Sequence, residues 1–399
     1  MSFFLAILLF MFIGDAVCWW LADRLLRRAP RPGFWRIVNG AFFLLQAGVL
    51  AAILFIRTRG ITTDLLGSKP ILAAVYLWHL VLLPLLLVGL LIRGLWLVGR
   101  RAWAGPRVPG LGPGDISRRR FLALAAGGGP MILCAGVTTI GLRQIEDFRL
   151  RRLTLMLAQL PPQLDGLTIA HVTDLHVGRF TEGAVLERIV AATNALEADL
   201  VLMTGDLINY EIRDLPLAMA LTGRLRAAHG VFLCEGNHDL IEDGPQFVER
   251  VKRAGHRLLV NESALLRIRG ADVQILGARW GGNLPAANRA ERYRVAGIES
   301  AMTDLVRQRE EGVFPILLAH HPHVFDYAGS IPLTLAGHTH GGQLMLTENF
   351  GCGPAMFRYW SGLYRHDERS LVVSNGVGNW LPLRTRAPAE IVHLTLRAV

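Results

Sequence analysis

Four apolar segments of about 20 residues come before any strand-like pattern in this sequence, and they constrain its fold more than any other feature. They cover 3–22, 37–56, 71–92 and 121–142. A helix of that length rises about 30 Å, which matches the hydrocarbon core of a bilayer. Buried core helices are the alternative, but four in succession, in a chain that is 52% hydrophobic, favour membrane spans. We therefore predict three transmembrane helices in an N-terminal membrane region, 1–115, and a fourth in 116–152, where it is followed by a linker.

Basic residues are distributed unevenly among the loops that join these segments. Loops 23–36 and 93–120 are rich in arginine, whereas loop 57–70 between them has few basic residues. Cytoplasmic loops carry an excess of Lys and Arg, so the two arginine-rich loops are predicted to be cytoplasmic. The N-terminus and everything after residue 142 are then predicted to lie on the outer face.

The net charge of +10 would ordinarily suggest a nucleic-acid partner. The excess is confined to 1–152, which carry 19 basic and 6 acidic residues and a net charge of +13. Residues 153–399 carry 23 basic and 26 acidic residues, a net charge of −3. We interpret the basic part as an orientation signal and as contact with lipid headgroups. The acid-leaning part offers no basic track for a phosphate backbone, so no nucleic-acid partner is expected.

The fourth apolar segment begins with a basic motif, Ser117–Leu122, which reads SRRRFL. It resembles a twin-arginine export signal, with Ala123 where a lysine is usual. An ordinary basic flank of a helix is the alternative. A twin-arginine signal exports a domain that has already folded. It therefore implies a multi-pass protein of the bacterial inner (cell) membrane with its large domain on the outer, periplasmic face.

Two ionisable residues, Asp15 and His79, lie inside the predicted spans. Ionisable groups within a membrane are functional candidates by default. Hydrogen bonding within the helical bundle would explain them equally well.

From about residue 153 the sequence changes to short apolar runs that alternate with polar, helical-looking stretches. Val185–Leu196 and Ile298–Arg309 show helical spacing. The alternation predicts an α/β domain with buried sheets over 153–399. Eight apolar runs are typical of strands: 167–176, 198–207, 230–239, 273–280, 314–323, 332–340, 371–378 and 390–396.

Five of these runs end in residues that can bind metal ions, and ligands bind beyond the carboxyl ends of strands in α/β sheets. Alternate residues of an extended segment point the same way, so Asp174 and His176 can face one site, as can His338 and His340. Carboxylate, imidazole and amide groups without thiolates favour Mn, Fe, Zn or Co. About seven such ligands are too many for one tetrahedral ion and predict two divalent metal ions. The five clusters contain Asp174, His176, Asp206, Asn237, His238, Asp239, His320, His321, His323, His338 and His340.

In chain order the clusters read D-x-H, G-D, G-N-H-D, H-x-P and G-H-T-H. Together they resemble the calcineurin-like metallophosphoesterase family over roughly 165–399. A single block is weak, but five blocks in this order are specific. The segments 362–364 and 374–396 look like the membrane-anchored bacterial branch that carries twin-arginine signals. The resemblance implies a four-layer α/β/β/α sandwich for 153–399.

The resemblance also implies a role for each matching residue. His238 would contact the phosphate and protonate the leaving oxygen, and Asp239 would orient His238. Seven residues would be metal ligands: Asp174, His176 and His340 for the first ion, Asn237, His320 and His338 for the second, and Asp206 as a bridge between them.

The function implied is that of a membrane-anchored phosphoesterase that hydrolyses phosphate mono- or diesters with a metal-bridging hydroxide. Anchoring in a membrane places phospholipids among the candidate substrates. A pyrophosphatase acting on nucleotide-linked lipids is an alternative, but such precursors are cytoplasmic and the domain is predicted to be periplasmic. A non-catalytic membrane scaffold is a second alternative, and the intact ligand positions argue against it. Arg279 and Trp280 stand where this branch often has acidic residues, which leaves the substrate open.

Overall fold

The computed structural model describes residues 2–58, 68–103, 116–280 and 295–399. The chain forms two compact units, Met1–Leu142 and Arg143–Val399. Parts of the predicted loops 57–70 and 93–120 lie outside the described residues.

The first unit is helical, and the helices follow the apolar segments of the sequence. A π-helical turn, Trp78–Leu82, joins two of them into one continuous stretch. Four stretches are long and apolar enough to cross a membrane, by length and composition: Ala6–Leu26, Pro32–Ile56, Lys69–Arg100 and Arg118–Leu142. The prediction of four apolar helices is therefore confirmed. The helices are α1 (Ser2–Leu26), α2 (Pro32–Thr58), α3 (Lys69–Leu77), α4 (Leu83–Trp103) and α5 (Ile116–Leu142).

Asp15 and His79 are paired inside this unit. The Asp15 carboxylate accepts a hydrogen bond from Trp78 Nε1 at 2.7 Å, and its other oxygen lies 3.0 Å from His79 Nε2. The other ring nitrogen of His79 lies 2.9 Å from the carbonyl oxygen of Val75, so it donates to that oxygen. Hydrogen bonding within the bundle thus accounts for both buried groups.

The second unit contains two six-stranded mixed sheets. The strands of this unit are β1 (Phe148–Leu157), β2 (Thr168–Val172), β3 (Leu200–Thr204), β4 (Val231–Cys234), β5 (Arg257–Leu258), β6 (Glu262–Ile268), β7 (Ala271–Gly277), β8 (Phe314–Leu318), β9 (Leu333–Ala336), β10 (Met345–Thr347), β11 (Phe350–Gly351), β12 (Gly362–His366), β13 (Arg369–Val373) and β14 (Ala389–Ala398). The first six-stranded sheet has the order β1-β14-β2-β3-β4-β5 and the second β12-β13-β9-β8-β7-β6. All eight strands predicted from the apolar runs are present, as β2, β3, β4, β7, β8, β9, β13 and β14.

Side chains alternate between two hydrophobic cores along the strands of the first sheet, as the period of two requires. In β3, Leu200 and Leu202 pack between the two sheets with residues such as Ile316 of β8. Val201 and Met203 of the same strand face the opposite way and pack against helices. Helices also cover the outer face of the second sheet, so the domain is a four-layer α/β/β/α sandwich. Its helices are α6 (Ala184–Asn194), α7 (Leu215–Thr222), α8 (Gly244–Arg253), α9 (Val295–Val306) and the short α10 (Cys352–Met356).

Strand β1 lies in the stretch that the sequence pattern assigned to a linker. It pairs in parallel with the last strand, β14, from Phe148 opposite Ala389 onward. Arg149 and Arg151 of β1 both bond to the carboxylate of Glu390, which is fully buried. These arginines are therefore sheet contacts and do not report membrane orientation.

Candidate metal centre

The predicted site residues follow the carboxyl ends of five parallel strands, three in the first sheet and two in the second. Strands β2, β3 and β4 run parallel, as do β8 and β9, so the loops after them emerge at one rim. Backbone hydrogen bonds join neighbouring loops there: Asp174 N–H donates to the Gly205 carbonyl, and His176 N–H to the Asp206 carbonyl. Backbone hydrogen bonds alone thus hold these loops, and the clusters they carry, next to one another.

The rim brings six of the seven predicted ligands into two triads, in each of which the potential ligand atoms lie within 4.8 Å of one another. In the first triad, His340 Nε2 lies 3.1 Å from Asp174 Oδ1 and 3.0 Å from His176 Nε2. In the second triad, His320 Nε2 lies 3.1 Å from Asp206 Oδ2 and 3.3 Å from His338 Nδ1. The triads are Asp174, His176 and His340, and Asp206, His320 and His338.

Asp206 stands between these triads. Its Oδ2 lies 3.1 Å from the His320 imidazole and also 3.4 Å from the His176 imidazole of the other triad. Its Oδ1 accepts a hydrogen bond from the His238 backbone N–H at 2.8 Å. One carboxylate oxygen therefore faces ligands of both groups, which is the position that a bridging ligand requires.

The backbone at the rim is strained. A left-handed backbone is uncommon for residues other than glycine and costs about 1–3 kcal/mol at each position. Such strain accumulates where the side chain must be aimed at a site. The five ligand candidates with positive φ are Asp174 (55°), His176 (47°), Asp206 (55°), His338 (72°) and His340 (50°).

Two glycines admit the close approach of neighbouring loops. A Cβ atom on Gly236 would lie 2.1 Å from Asp206 Oδ1, and one on Gly337 would lie 2.3 Å from Asp174 Oδ2. Both contacts are far shorter than any real Cβ contact. The glycines of the G-N-H-D and G-H-T-H blocks therefore leave room for the two carboxylates.

The side chains at the rim fit a pair of cations. His320 Nδ1 donates to the Thr204 carbonyl at 2.6 Å, so its Nε2 is the atom that faces Asp206. An unprotonated Nε2 would point its lone pair at a carboxylate oxygen, so a positive charge is needed between them. Burial alone would lower the pKa of His320, but the Asp206 and Asp174 carboxylates raise it to about 9, and this proton takes the place of a metal cation. The buried Oδ1 of Asn237 has no hydrogen-bond partner among the described residues, as a metal ligand should not.

Burial favours the neutral form of the two histidines of the G-H-T-H block, His338 and His340. Burial lowers the pKa of His340 to about 3, and burial likewise lowers the pKa of His338 well below its usual range. Neutral imidazole is the form that binds metal ions. The assignment of all seven residues as ligands stays a prediction, and their arrangement agrees with it.

His238 lies outside these two triads but forms a third group with His176 and Asp206, in which the potential ligand atoms also lie within 4.8 Å of one another. Its Nδ1 donates to the carbonyl of Asn209, which fixes the ring and leaves Nε2 for another partner. The ring centroid lies 4.6 Å from that of His176. The second ring nitrogen can therefore meet a ligand bound at the rim.

The predicted role of Asp239 in orienting His238 is not what its contacts indicate. Oδ2 of Asp239 accepts from the backbone N–H groups of Asp206 and Gly236, both at 2.9 Å. Oδ1 accepts from those of Leu207 at 2.7 Å and Ile208 at 3.1 Å. Four N–H donors use the four acceptor positions of a carboxylate. Asp239 therefore holds the turn that carries Asp206, and the Asn209 carbonyl orients His238.

Arg384, which sequence reasoning missed, is fully buried behind the first triad. Its Nη2 donates to His340 Nδ1 at 2.9 Å, and its Nη1 donates to the carbonyls of Asn375 and Ala387, both at 3.1 Å. Its Nε donates to Asn379 Oδ1 at 2.7 Å. Arginine is always a donor, so His340 Nδ1 accepts and the neutral ring carries its proton on Nε2. The contact fixes the ring and ties the C-terminal loop to it, and a metal ion bound at Nε2 would displace that proton. The signal in the sequence was a pair of arginines, Arg384 and Arg386, within the proline-containing segment LPLRTRAP.

Aromatic and imidazole rings form a wall beside the second triad. The centroid of the His338 ring lies 5.0 Å from that of Trp280 and 4.9 Å from that of His321. His323 lies next to His321, at 4.8 Å between centroids. Arg279 points its Nε at the buried Glu235 carboxylate, 3.8 Å away. These residues surround the site without joining either triad.

Comparison with known proteins agrees with this arrangement. The family model for calcineurin-like phosphoesterases matches residues 167–342, which contain all seven predicted ligands. An "Uncharacterized metallophosphoesterase" of Helicobacter pylori is 30% identical over 236 residues, covering 58% of this chain and 60% of the relative. A "Transmembrane protein with metallophosphoesterase domain" of Danio rerio is 31% identical, covering 60% of this chain and 55% of the relative. "Phosphodiesterase YaeI" of Escherichia coli is 28% identical, and the match covers 57% of this chain and 81% of the relative.

This chain thus matches only about 60% of the length of the H. pylori relative and 55% of the D. rerio relative. The residues that the family model matches, 167–342, lie in the second unit, where the sheets and both triads also lie. Residues 167–342 therefore resemble the calcineurin-like phosphoesterases, and this match indicates a hydrolase.

Proposed function

We propose that this protein is a membrane-anchored phosphoesterase with a dinuclear metal centre. The observation that carries the proposal is the position of Asp206, with one oxygen 3.1 Å from His320 and 3.4 Å from His176. A single carboxylate shared by two triads of ligands is typical of two-metal hydrolytic sites. The membrane anchor is supported by the four long apolar helices and by a relative named as a transmembrane protein.

Side chains of this protein would hold the metal ions and protonate the leaving group. Asp174, His176 and His340 would hold one ion, Asn237, His320 and His338 the other, and Asp206 both. Two divalent cations held there would supply positive charge to phosphoryl oxygens and lower the pKa of water. His238, fixed through Nδ1, would present Nε2 to the leaving oxygen of the ester and, as the imidazolium, give it the Nε2 proton. The Asp239 carboxylate, which accepts from the backbone N–H groups of the Asp206 loop, would keep Asp206 in place.

The experiment that tests this function uses the full chain in an uncharged detergent. Metal is removed with a chelator, Mn²⁺ is restored, and hydrolysis of p-nitrophenyl phosphate and bis-p-nitrophenyl phosphate is followed. Asp206→Asn keeps the oxygen that accepts the His238 N–H but removes the bridging charge. We expect Mn²⁺-dependent turnover that falls at least about a thousandfold in this variant, which corresponds to about 4 kcal/mol of transition-state stabilisation.

The matched control is Asp272→Asn, an exposed carboxylate that pairs with Arg267 at the surface. It should retain full turnover. A folded wild-type chain that binds no metal would overturn the proposal. Two bound ions without turnover on either ester would keep the centre and point to a narrower substrate, so phosphatidylglycerol and phosphatidic acid are assayed in parallel.

The choice between monoester and diester substrates belongs to the same experiment. A relative named as a phosphodiesterase favours the diester, and anchoring beside a membrane favours phospholipids as substrates. The ratio of the rates on the two nitrophenyl esters separates the two classes. A faster reaction with the diester is expected.

We also propose that the chain is a multi-pass protein of the bacterial inner membrane, with the membrane region in 1–115, the export signal and fourth span in 116–152, and the catalytic domain from 153 to 399 on the periplasmic face. The arginine-rich loops and the SRRRFL motif support this orientation. Protease added to spheroplasts should degrade the second unit. Arg118→Lys/Arg119→Lys keeps the basic flank and breaks the twin-arginine pair, so it should protect the domain from the protease until lysis. A domain that is protected in the wild-type chain would reverse the orientation.

A further inference from the structure

An arginine-lined cleft lies in the first unit, where α1 ends and α2 and α5 begin. Its volume is about 450 Å³. The short connection between α1 and α2 forms one side, and the first turns of α5 form the other. The residues that line it are Arg27, Arg28, Ala29, Pro30, Arg31, Pro32, Arg119 and Arg120.

The charge of this cleft is strongly positive. None of the eight described residues that line it is acidic, and five are arginines. The nearby Asp23 carboxylate accepts from Arg27 at 3.2 Å and from Arg36 at 2.7 Å, so its single charge is shared between two guanidinium groups. Like charges around one cavity repel each other, and an anion between them relieves that repulsion.

The backbone at the centre of the cleft is strained. Arg31 has a φ of 53°, in the left-handed region that arginine rarely adopts. This conformation lets the chain reverse between α1 and α2 within a few residues while the charged side chains remain at the cleft. A left-handed glycine would make the same turn without strain, so an arginine at this position suggests a use for its side chain.

The cleft also lies at the ends of the apolar helices. Three of the four candidate spans have an end there: Ala6–Leu26 ends beside it, and Pro32–Ile56 and Arg118–Leu142 begin beside it. The ends of transmembrane helices lie in the headgroup layer of a bilayer. Guanidinium groups match phosphate oxygens with paired, parallel hydrogen bonds.

We propose that this cleft binds the phosphate group of an anionic membrane phospholipid. Basic pockets between transmembrane helices bind such headgroups, and the position at the ends of three spans favours a lipid over a soluble phosphate. The site lies entirely within the first unit. It goes beyond the proposed phosphoesterase function and does not depend on it.

The test uses the full chain, delipidated in an uncharged detergent. Native mass spectrometry with added phosphatidylglycerol, phosphatidylcholine or inorganic phosphate gives the affinity for each. We expect phosphatidylglycerol to bind at least about tenfold more tightly than phosphatidylcholine, because only its headgroup carries a net negative charge. These wild-type measurements do not depend on any variant.

The variant Arg28→Gln/Arg31→Gln removes two charges from the cleft and leaves the SRRRFL motif intact. Each arginine next to the bound anionic headgroup contributes about a fivefold factor, so phosphatidylglycerol binding should weaken about thirtyfold. The matched control, Arg93→Gln/Arg100→Gln, removes two exposed arginines of α4 that do not line the cleft. The control should remain within about fivefold of the wild type. Circular dichroism checks that both variants remain helical.

Three results would overturn the proposal. Equal affinity for the two lipids would mean that the headgroup charge is not recognised. Equal weakening in the control variant would mean that diffuse surface charge, and not the cleft, attracts the lipid. Binding of inorganic phosphate as tight as that of phosphatidylglycerol would identify a site for soluble anions.

Discussion

The second unit contains two buried regions that are built on opposite principles. The core between the two sheets is made of apolar side chains such as Leu202, Phe232 and Ile316, all with no solvent exposure. The metal-centre rim is equally buried at Asp174 and His176, yet it is made of charged and polar groups on a left-handed backbone. The core is stabilised by the burial of apolar surface. The rim gathers carboxylates and imidazole nitrogens within hydrogen-bond distance of one another, and cations would satisfy them.

The difference teaches where the stability of this domain comes from. The core should contribute the same free energy whether or not metal is bound. The rim carries strain and like-charged groups, so its contribution should depend on metal. Metal removal and core truncation should therefore each lower the free energy of unfolding by several kcal/mol, but only the first effect should depend on the rim.

Removal of metal should have the largest effect. Two ions present at a hundredfold excess over their dissociation constants would each stabilise the folded state by about 2.7 kcal/mol, roughly 5 kcal/mol in total. Urea unfolding of the second unit, measured with Mn²⁺ and after chelation, gives this difference. In Asp206→Asn the effect of the chelator should be much smaller. Equal urea midpoints for the Mn²⁺-bound and the metal-free wild-type protein would show that the rim, like the core, does not depend on metal for its stability.

Truncation of the core should come second and should not depend on metal. Phe232 of β4 is fully buried between the sheets, and Phe232→Ala should cost about 3–5 kcal/mol. The loss should be equal in the presence of Mn²⁺ and of chelator, because Phe232 belongs to the core between the sheets and not to the rim. Turnover for each folded, metal-loaded molecule should be unchanged. A loss that depends on metal would mean that core and rim are coupled.

The sequence predicted the two regions with unequal success, for a physical reason. Core strands such as β3 and β8 are continuous apolar runs, and each polar cluster follows its strand directly, so local pattern was sufficient. Strand β1 was missed because its arginines alternate with leucines and its partner β14 lies at the other end of the chain. In the sequence, Arg149 and Arg151 look like charges of a linker. Only the tertiary pairing of β1 with β14 makes them ion-pair partners of Glu390.

The supporting contacts of the rim were also beyond local pattern. The sequence places Asp239 next to His238, which suggested that one orients the other. In the fold, the Asp239 carboxylate turns toward four backbone N–H groups, three of them from the Asp206 loop. Arg384 is far from every motif block in sequence. It becomes important only because the C-terminal loop folds behind His340.

Arg384 gives the third prediction. Arg384→Gln removes the donor that holds His340 Nδ1 and most of the bonds to the loop carbonyls. Residues that support metal ligands typically change metal affinity 10–100-fold, about 1.4–2.8 kcal/mol. Isothermal titration with Mn²⁺ should therefore show one weakened site of two. The matched control is Arg386→Gln, two residues away and exposed, which should bind as the wild type does. Uniform weakening of both sites would mean that Arg384 supports the whole fold and not the first triad.

An exposed ion pair should have the smallest effect, and it sets the scale for the others. Lys252 of α8 and Glu262 of β6 approach to 2.6 Å, shorter than any carboxylate–imidazole distance at the rim, yet their side chains are 39% and 49% exposed. Water screens such a pair and competes for both groups, so its net contribution is about 0–1 kcal/mol. Glu262→Gln should shift urea unfolding by no more than that, equally with and without Mn²⁺. A larger shift would mean that proximity of charges alone stabilises this domain, and the contrast between core and rim would then lose its basis in burial.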